Sequence, residues 1–206
     1  SFYEKAIAFA KKYNVILLHD NAYSDIIFGG KEGKSFLSYP RAMEVGIEFY
    51  SLSKSYNLTG ARISFVIGNQ KIVDKFRSVR TQFDYGIFLP IQKAAVAALT
   101  GPQDNVKEQC RIYEERNYAL CRGMSSIGWK IPDGQGTMFV WAPIPENYTS
   151  SERFTLDLME KTGMIVTPGT AFGNLGEGYV RIALVHPVET IEKVVRIVKE
   201  SGILEP

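Results

Sequence analysis

The sequence predicts an α/β layer in its first half and a smaller α+β domain in its second. Two observations carry this reading. Short, continuous apolar runs, VILLHD at 15–20 and IEFYSL at 47–52, have the length and composition of parallel strands buried on both faces. A polar break, GPQDN at 101–105, then separates them from a second set of strands and helices, so the domain boundary is expected near 102.

The elements follow in order. Residues 1–13 form an amphipathic helix with Phe2, Ala6, Phe9, Ala10 and Tyr13 on one face. The run 15–20 is the first strand. Residues 21–46 hold Gly29, Gly30, Gly33 and Pro40 and read as mostly irregular. IEFYSL is the second strand, and ARISFVIG at 61–68 the third. Helical periodicity returns at 70–83 and 90–100. Beyond the break, 105–127 reads as a long polar helix ending near Gly128. WKI and MFVWAPI are strands around the turn PDGQG at 132–136. The next helix, TSSERFTLDLMEKTG at 149–163, begins with a capping box from Thr149 to Glu152 and stops at Gly163. MIVTPG at 164–169 and GYVRIALV at 178–185 are strands. Pro187 opens a last helix to 201, with Val188, Ile191, Val194, Val195 and Val198 on its apolar side.

Composition narrows the function classes. The 206 residues are 45% hydrophobic and carry 24 basic against 22 acidic side chains. A net charge of +2 gives no electrostatic case for nucleic acid or membrane binding. No apolar run is long enough to span a bilayer, and no signal peptide is expected. Cys110 and Cys121 fall on one helix, about 16 Å apart at roughly 1.5 Å per residue. A disulfide needs Cα atoms within about 7 Å, so free thiols in a cytoplasmic protein are expected. No His, Cys, Asp and Glu spacing resembles a metal site. The chain starts at Ser1 directly in a helix, as a piece of a longer protein would.

The stretch SLSKSYNLTGAR, 51–62, brings a lysine to the end of a strand. Lys54 alone reads as a solvated lysine in a serine-rich turn. Its neighbours favour a nucleophilic amine that forms a Schiff base with a carbonyl. Asp20 closes the first strand, with Tyr23 three residues on. Strand ends are where open α/β sheets bind ligands, so two parallel strands would set a carboxylate, a phenol and an amine along one rim. Arg62, eight residues past Lys54 and beyond Gly60, can fold back to the same place, and arginine suits phosphate. Ser51 and Ser53 add hydroxyls. An amine, an anion-binding cluster, a carboxylate and a phenol together suggest pyridoxal 5'-phosphate, whose ring becomes an electron sink when an Asp keeps its nitrogen protonated.

These motifs resemble the class I/II aminotransferases, of fold type I among the pyridoxal-phosphate enzymes. SLSKSYNLTGAR resembles the family's lysine signature, and HDNAY at 19–23 its Asp-x-x-Tyr motif. GYVRIALV resembles the C-terminal strand whose arginine clamps the substrate α-carboxylate. The match runs over nearly the whole chain. It implies a fold type I large-domain part with a mostly parallel sheet, at 1–102, and a small C-terminal α+β domain, at 103–206. It implies that Lys54 is the Schiff-base and proton-transfer residue, that Asp20 pairs with the ring nitrogen and that Tyr23 bonds the ring's phenolate oxygen. Ser51, Ser53 and Arg62 would hold the phosphate, and Arg181 the substrate carboxylate by a bidentate bond. The implied substrates are an amino acid and a 2-oxo acid, and the implied assembly is a homodimer. The style of SxSKxYNLTGxR and YGIFLPIQ leans to the aspartate/diaminopimelate branch.

The departures are absences. The family's upstream half supplies a phosphate loop, an aromatic that stacks on the ring and an Asn near the phenolate oxygen, none of which this chain contains. The 206 residues alone are therefore expected not to be a competent transaminase. At 83–90 the resemblance places a neighbouring subunit and, in dicarboxylate-specific relatives, an arginine; here Phe88 and apolar neighbours stand there. Two alternatives stay open: an aminotransferase-like effector domain of a transcription regulator, and another fold type I enzyme such as a C–S lyase or decarboxylase. His19, expected to face away from Asp20, and His186, in a turn, read as structural. GEG at 176–178 is a turn before a strand.

Overall fold

The apolar runs of the first half assemble into a three-stranded sheet in the order β1-β2-β3, formed by Leu17–Asp20, Gly46–Ser51 and Ser64–Gly68. This computed structural model describes residues 1–205. β1 and β2 are parallel, with Asp20 opposite Phe49. β3 departs from the expected mostly parallel sheet: it runs antiparallel to β2, with Ser51 opposite Ser64. The connection 52–63 holds only short helical turns and no crossover helix, and the chain returns on the same rim it left.

The chain divides into two compact units. Unit 1 comprises Ser1–Asp25 and Lys31–Gln109, and unit 2 comprises Ile26–Gly30 and Cys110–Pro206.

Around the unit 1 sheet lie α1 (Phe2–Tyr13), α2 (Ala42–Val45), α3 (Leu52–Ser55), α4 (Gln70–Arg80) and α5 (Leu89–Thr100). Ser1 caps α1 in a capping box with Glu4, and Asn14 ends it in the left-handed conformation. Pro90 stands in the first turn of α5, where its missing N–H costs nothing. β1 is not buried on both faces. Its residues alternate between half-buried and exposed, and Leu18 is 65% exposed. An edge strand covered on one side has this pattern. Unit 1 has two small buried apolar clusters, Ile7 with Phe36 and Ala42, and Leu52 with Ile63 and Ala95, while Ala10 and Ile47 are buried outside them.

Unit 2 carries most of α6 (Asp104–Ser126), then α7 (Ser151–Thr162) and α8 (Val188–Glu200). Its sheet has the order β4-β6-β5, from Phe139–Pro143, Tyr179–Ala183 and Thr167–Pro168, all antiparallel. WKI forms no strand; Trp129 instead plugs the core and donates from its ring N–H to the Pro143 carbonyl at 2.7 Å. α7 is capped one residue later than expected, by Ser150 accepting from Arg153 N, so Thr149 and Glu152 make no capping box. Gly163 does end that helix, at φ 73°, in the region glycine favours. The core is continuous, with Trp129 and Phe154 ring centroids 5.0 Å apart and Leu158, Val180, Val198 and Ile203 around them. Each such side chain contributes about 1.5–3 kcal/mol by leaving water.

Residues 26–30, expected to be irregular, complete unit 2. Phe28 N donates to the Gln135 carbonyl at 2.9 Å and Thr137 N to the Ile26 carbonyl at 2.8 Å. A Cβ on Gly136 would meet that Ile26 oxygen at 2.4 Å, so only glycine permits the approach. Cys110 and Cys121 lie on α6, and neither forms a disulfide among the described residues. Burial pushes the Cys121 thiol up to about 11. Among the described residues, no helix is long and apolar enough to cross a membrane.

Candidate active site

Strand direction places the chemistry of unit 1. β1 and β2 are parallel, so Asp20 and Ser51, their last residues, end on one rim. Asp20 pairs with Phe49, and alternation puts Asp20, Phe49 and Ser51 on one face of the sheet. The antiparallel return of β3 brings Arg62, two residues before Ser64, back to the Ser51 end.

Lys54 lies not on the strand but in the single turn of α3. Ser51 caps that turn, its hydroxyl accepting from Ser53 N at 3.1 Å. The cap fixes where the strand stops and the lysine begins. The Lys54 ammonium stands 5.8 Å from the Tyr23 ring centroid, in cation–π range. Two tethers hold the lysine's backbone. Gln109 donates to the Lys54 carbonyl at 2.9 Å, and the Thr59 hydroxyl to the Ser53 carbonyl, also at 2.9 Å. Neither had a signal in the sequence, because each links residues through the fold.

The loop to Arg62 is bent by two left-handed residues, Asn57 at φ 54° and Arg62 at φ 52°. Asparagine tolerates that region, whereas an arginine there is unusual, and such strain gathers at ligand clamps. Arg62 is exposed and donates to the Thr59 carbonyl at 3.1 Å. Among the described residues, no carboxylate forms an ion pair with Lys54 or Arg62. The rim thus gathers an amine, a guanidinium, the Ser51 hydroxyl, a phenol and the Asp20 carboxylate, while Ser53 is buried in the α3 turn. That donor set fits a phosphorylated pyridine aldehyde: anion-binding groups for the phosphate, an amine for the carbonyl carbon and an acid for the ring nitrogen.

Tyr50, just before the cap, donates to the Asp25 carboxylate. Burial, then that hydrogen bond, keep its phenol well above the ordinary value, so it stays protonated. Tyr56 donates to Gln103 at 2.7 Å, and its phenol is likewise raised, first by burial. His19 does face away from Asp20, and its Nδ1 lies 2.9 Å from the Glu48 carboxylate.

Arg181 belongs to unit 2. On β6, Val180 and Ile182 point into the core while Arg181 takes the other face, between Trp141 on β4 and Thr167 on β5. Its guanidinium lies over the rings of Phe139 and Phe172, at 4.3 and 4.6 Å. Among the described residues it has no carboxylate partner. A guanidinium packed against two aromatic rings can still offer its N–H donors to a planar anion.

The family model for aminotransferase class I and II matches residues 1–198. The chain is 43% identical to the LL-diaminopimelate aminotransferase of Halothermothrix orenii, over 98% of this chain and 52% of that protein. It is 45% identical to the enzyme of the same name from Dehalococcoides mccartyi, over 93% of this chain and 49% of that protein. The chain therefore spans about half the length of these curated relatives. Among solved structures, apo BacF from Bacillus subtilis is 38% identical with a TM-score of 0.92, covering 97% of this chain and 53% of its own. An aminotransferase from Staphylococcus aureus is 29% identical with a TM-score of 0.91, covering 98% and 54%.

Proposed function

The chain belongs to the class I and II aminotransferases, and we propose that it is the lysine-bearing part of one that moves an amino group from a diaminopimelate-like amino acid to a 2-oxo acid. The names of the most similar curated relatives support that substrate class. Pyridoxal 5'-phosphate, the family's cofactor, supplies an electron sink when bound. The observation that carries the reading is the Lys54 amine, with no carboxylate partner among the described residues, 5.8 Å from the Tyr23 ring on the rim that Asp20 and Arg62 share.

The roles follow from chemistry and position. Lys54 holds the cofactor through its amine and, once released, moves a proton at the substrate α-carbon. Asp20 holds a proton on the ring nitrogen, and Tyr23 donates to the ring's phenolate oxygen. Ser51, Ser53 and Arg62 bind the phosphate. Arg181 binds the substrate carboxylate, supported by its contacts with two aromatic rings and the lack of an acidic partner among the described residues. We assign 1–102 to the cofactor domain and 103–206 to the small domain. Exposed Phe83, Tyr85 and Phe88 support a homodimer interface in the complete polypeptide, which we place in the cytoplasm.

Borohydride reduction of the complete polypeptide loaded with cofactor, followed by peptide mapping, tests this reading. The label is expected on Lys54, and Lys54→Ala is expected to abolish amino transfer. A label on another lysine would sink the assignment.

A further inference from the structure

We infer that Glu48 is a positioning residue that, by gripping the residues on both sides of Asp20, holds that carboxylate in line with the cofactor ring. The inference rests on the site reading above and deepens it. Glu48 lies mid-strand on β2 and is 7% exposed. An acid so placed is costly unless its oxygens are satisfied. One oxygen meets His19 Nδ1 at 2.9 Å, the Ser35 hydroxyl at 3.0 Å and Phe36 N at 2.8 Å. The other accepts from the Asn21 amide at 3.2 Å.

The partners make this more than a satisfied buried acid. His19 and Asn21 flank Asp20, and strand alternation sends both to the Glu48 face and Asp20 to the other. A single carboxylate thus fixes the backbone before and after Asp20. Asn21 N also donates to the Phe49 carbonyl at 2.8 Å, which carries the pairing one residue beyond the strand. The grip is buttressed from behind, where His19 Nε2 lies 3.2 Å from the Tyr3 hydroxyl. Asp20 itself is the exposed last residue of its strand, and strand ends are places that otherwise fray. A carboxylate that must meet a ring nitrogen needs its placement held to about half an ångström, and such support comes from a second layer of hydrogen bonds.

The test uses the complete polypeptide and pyridoxal phosphate labelled with 15N in the ring. Three readouts are followed: the ring nitrogen's chemical shift, the cofactor dissociation constant and the melting temperature without cofactor. Glu48→Gln leaves one carbonyl oxygen where two oxygens accepted four bonds. Asn21→Ala cuts only the grip behind Asp20 and keeps the other three bonds, so it decides the matter if Glu48→Gln fails to fold. Ile7→Val, a methyl lost from the cluster that holds Phe36, serves as a purely structural comparison. In both grip variants the nitrogen resonance is expected to move toward the unprotonated ring, and the dissociation constant to rise about tenfold or more. Ile7→Val is expected to lower the melting temperature and leave both cofactor readouts in place. If Asn21→Ala behaves like Ile7→Val, Glu48 only stabilises the fold and the inference is overturned, while Lys54 labelling still stands. If the parent protein itself takes up no cofactor at Lys54, the site reading and this inference fall together.

Discussion

The two units divide stability and chemistry unequally. Unit 2 closes around one continuous core that runs from Tyr113 on α6 to Ile203. Unit 1 has two separate buried clusters of three, and β1 leaves Leu18 bare. Yet unit 1 holds Asp20, Tyr23, Lys54 and Arg62, whereas unit 2 offers Arg181 alone from the expected set. A rim of polar groups at strand ends is built from backbone direction, caps and hydrogen bonds, and it does not need a thick core beneath it. The lesson is that local order around Lys54 is kept by polar tethers, from Ser51, Thr59 and Gln109, added to the burial of Leu52 in a small cluster.

The largest effect should come from the thick core. Phe154 is fully buried, edge-on to Trp129 and Tyr148 with both centroids 5.0 Å away. Phe154→Ala is expected to lose about 3–5 kcal/mol of stability, through lost transfer energy and the cavity left behind. Leu52→Ala, as fully buried in a cluster of three, is expected near the lower end of the roughly 2–5 kcal/mol range, because a small cluster collapses more readily onto a cavity. Urea unfolding of both variants checks the contrast. Equal losses would show that cluster size does not govern the cost.

What could be read in the sequence is what short-range chemistry dictates. The helix from Phe2 carries its own cap and periodicity, and Gly163 marks the end of α7 because only a residue at ease with positive φ can close it. The spacing of Ser51, Ser53, Lys54 and Arg62 is likewise local, so their gathering on one rim needed only a strand and a return. The rest depended on distant partners. Nothing in IIFGG says that residues 26–30 pair with Gln135 and Thr137 in unit 2. Nothing in IEFYSL says that Glu48 meets His19, Asn21 and Ser35, since each donor is ordinary in its own window. The bare face of β1 was hidden for the opposite reason: a continuous apolar run looks the same whether one side or both are covered.

A smaller contrast between the units lies in their bound carboxylates. Burial alone would raise the Glu48 carboxyl, but the hydrogen bonds from His19, Asn21, Ser35 and Phe36 outweigh it and hold it below the ordinary value. Glu177, exposed in unit 2, is lowered by Ser151 N and Gly178 N. A carboxyl whose folded value is depressed stabilises the fold above its unfolded value, about 4.3, and that stability is lost as pH falls through the folded value. The stability gap between the parent and Glu48→Gln should therefore narrow as pH is lowered from 6 toward 3. The same titration on Glu177→Gln should show a smaller narrowing, because solvent screens an exposed group. A gap for Glu48 that stays constant across this range would mean that its charge is not what the four donors stabilise.

The smallest effect on stability is expected at Leu18, where the difference between the units is most visible from outside. Leu18 stands on an edge strand with its side chain mostly in water, so replacing it removes almost no buried surface from this chain. Leu18→Lys should change the unfolding free energy by no more than about 0.5 kcal/mol. Its effect should appear in association instead. An apolar edge strand with unpaired backbone groups offers a template to another chain, and a lysine placed there is a known way to blunt it. Val15 and Ile16 are also exposed just before it, which enlarges the apolar surface at this edge. Sedimentation velocity over a range of concentrations is expected to show the parent 206-residue chain self-associating and Leu18→Lys less so, at equal urea midpoints. A midpoint that drops by several kcal/mol equivalents would place Leu18 inside a core, and unit 1 would then be as thickly packed as unit 2.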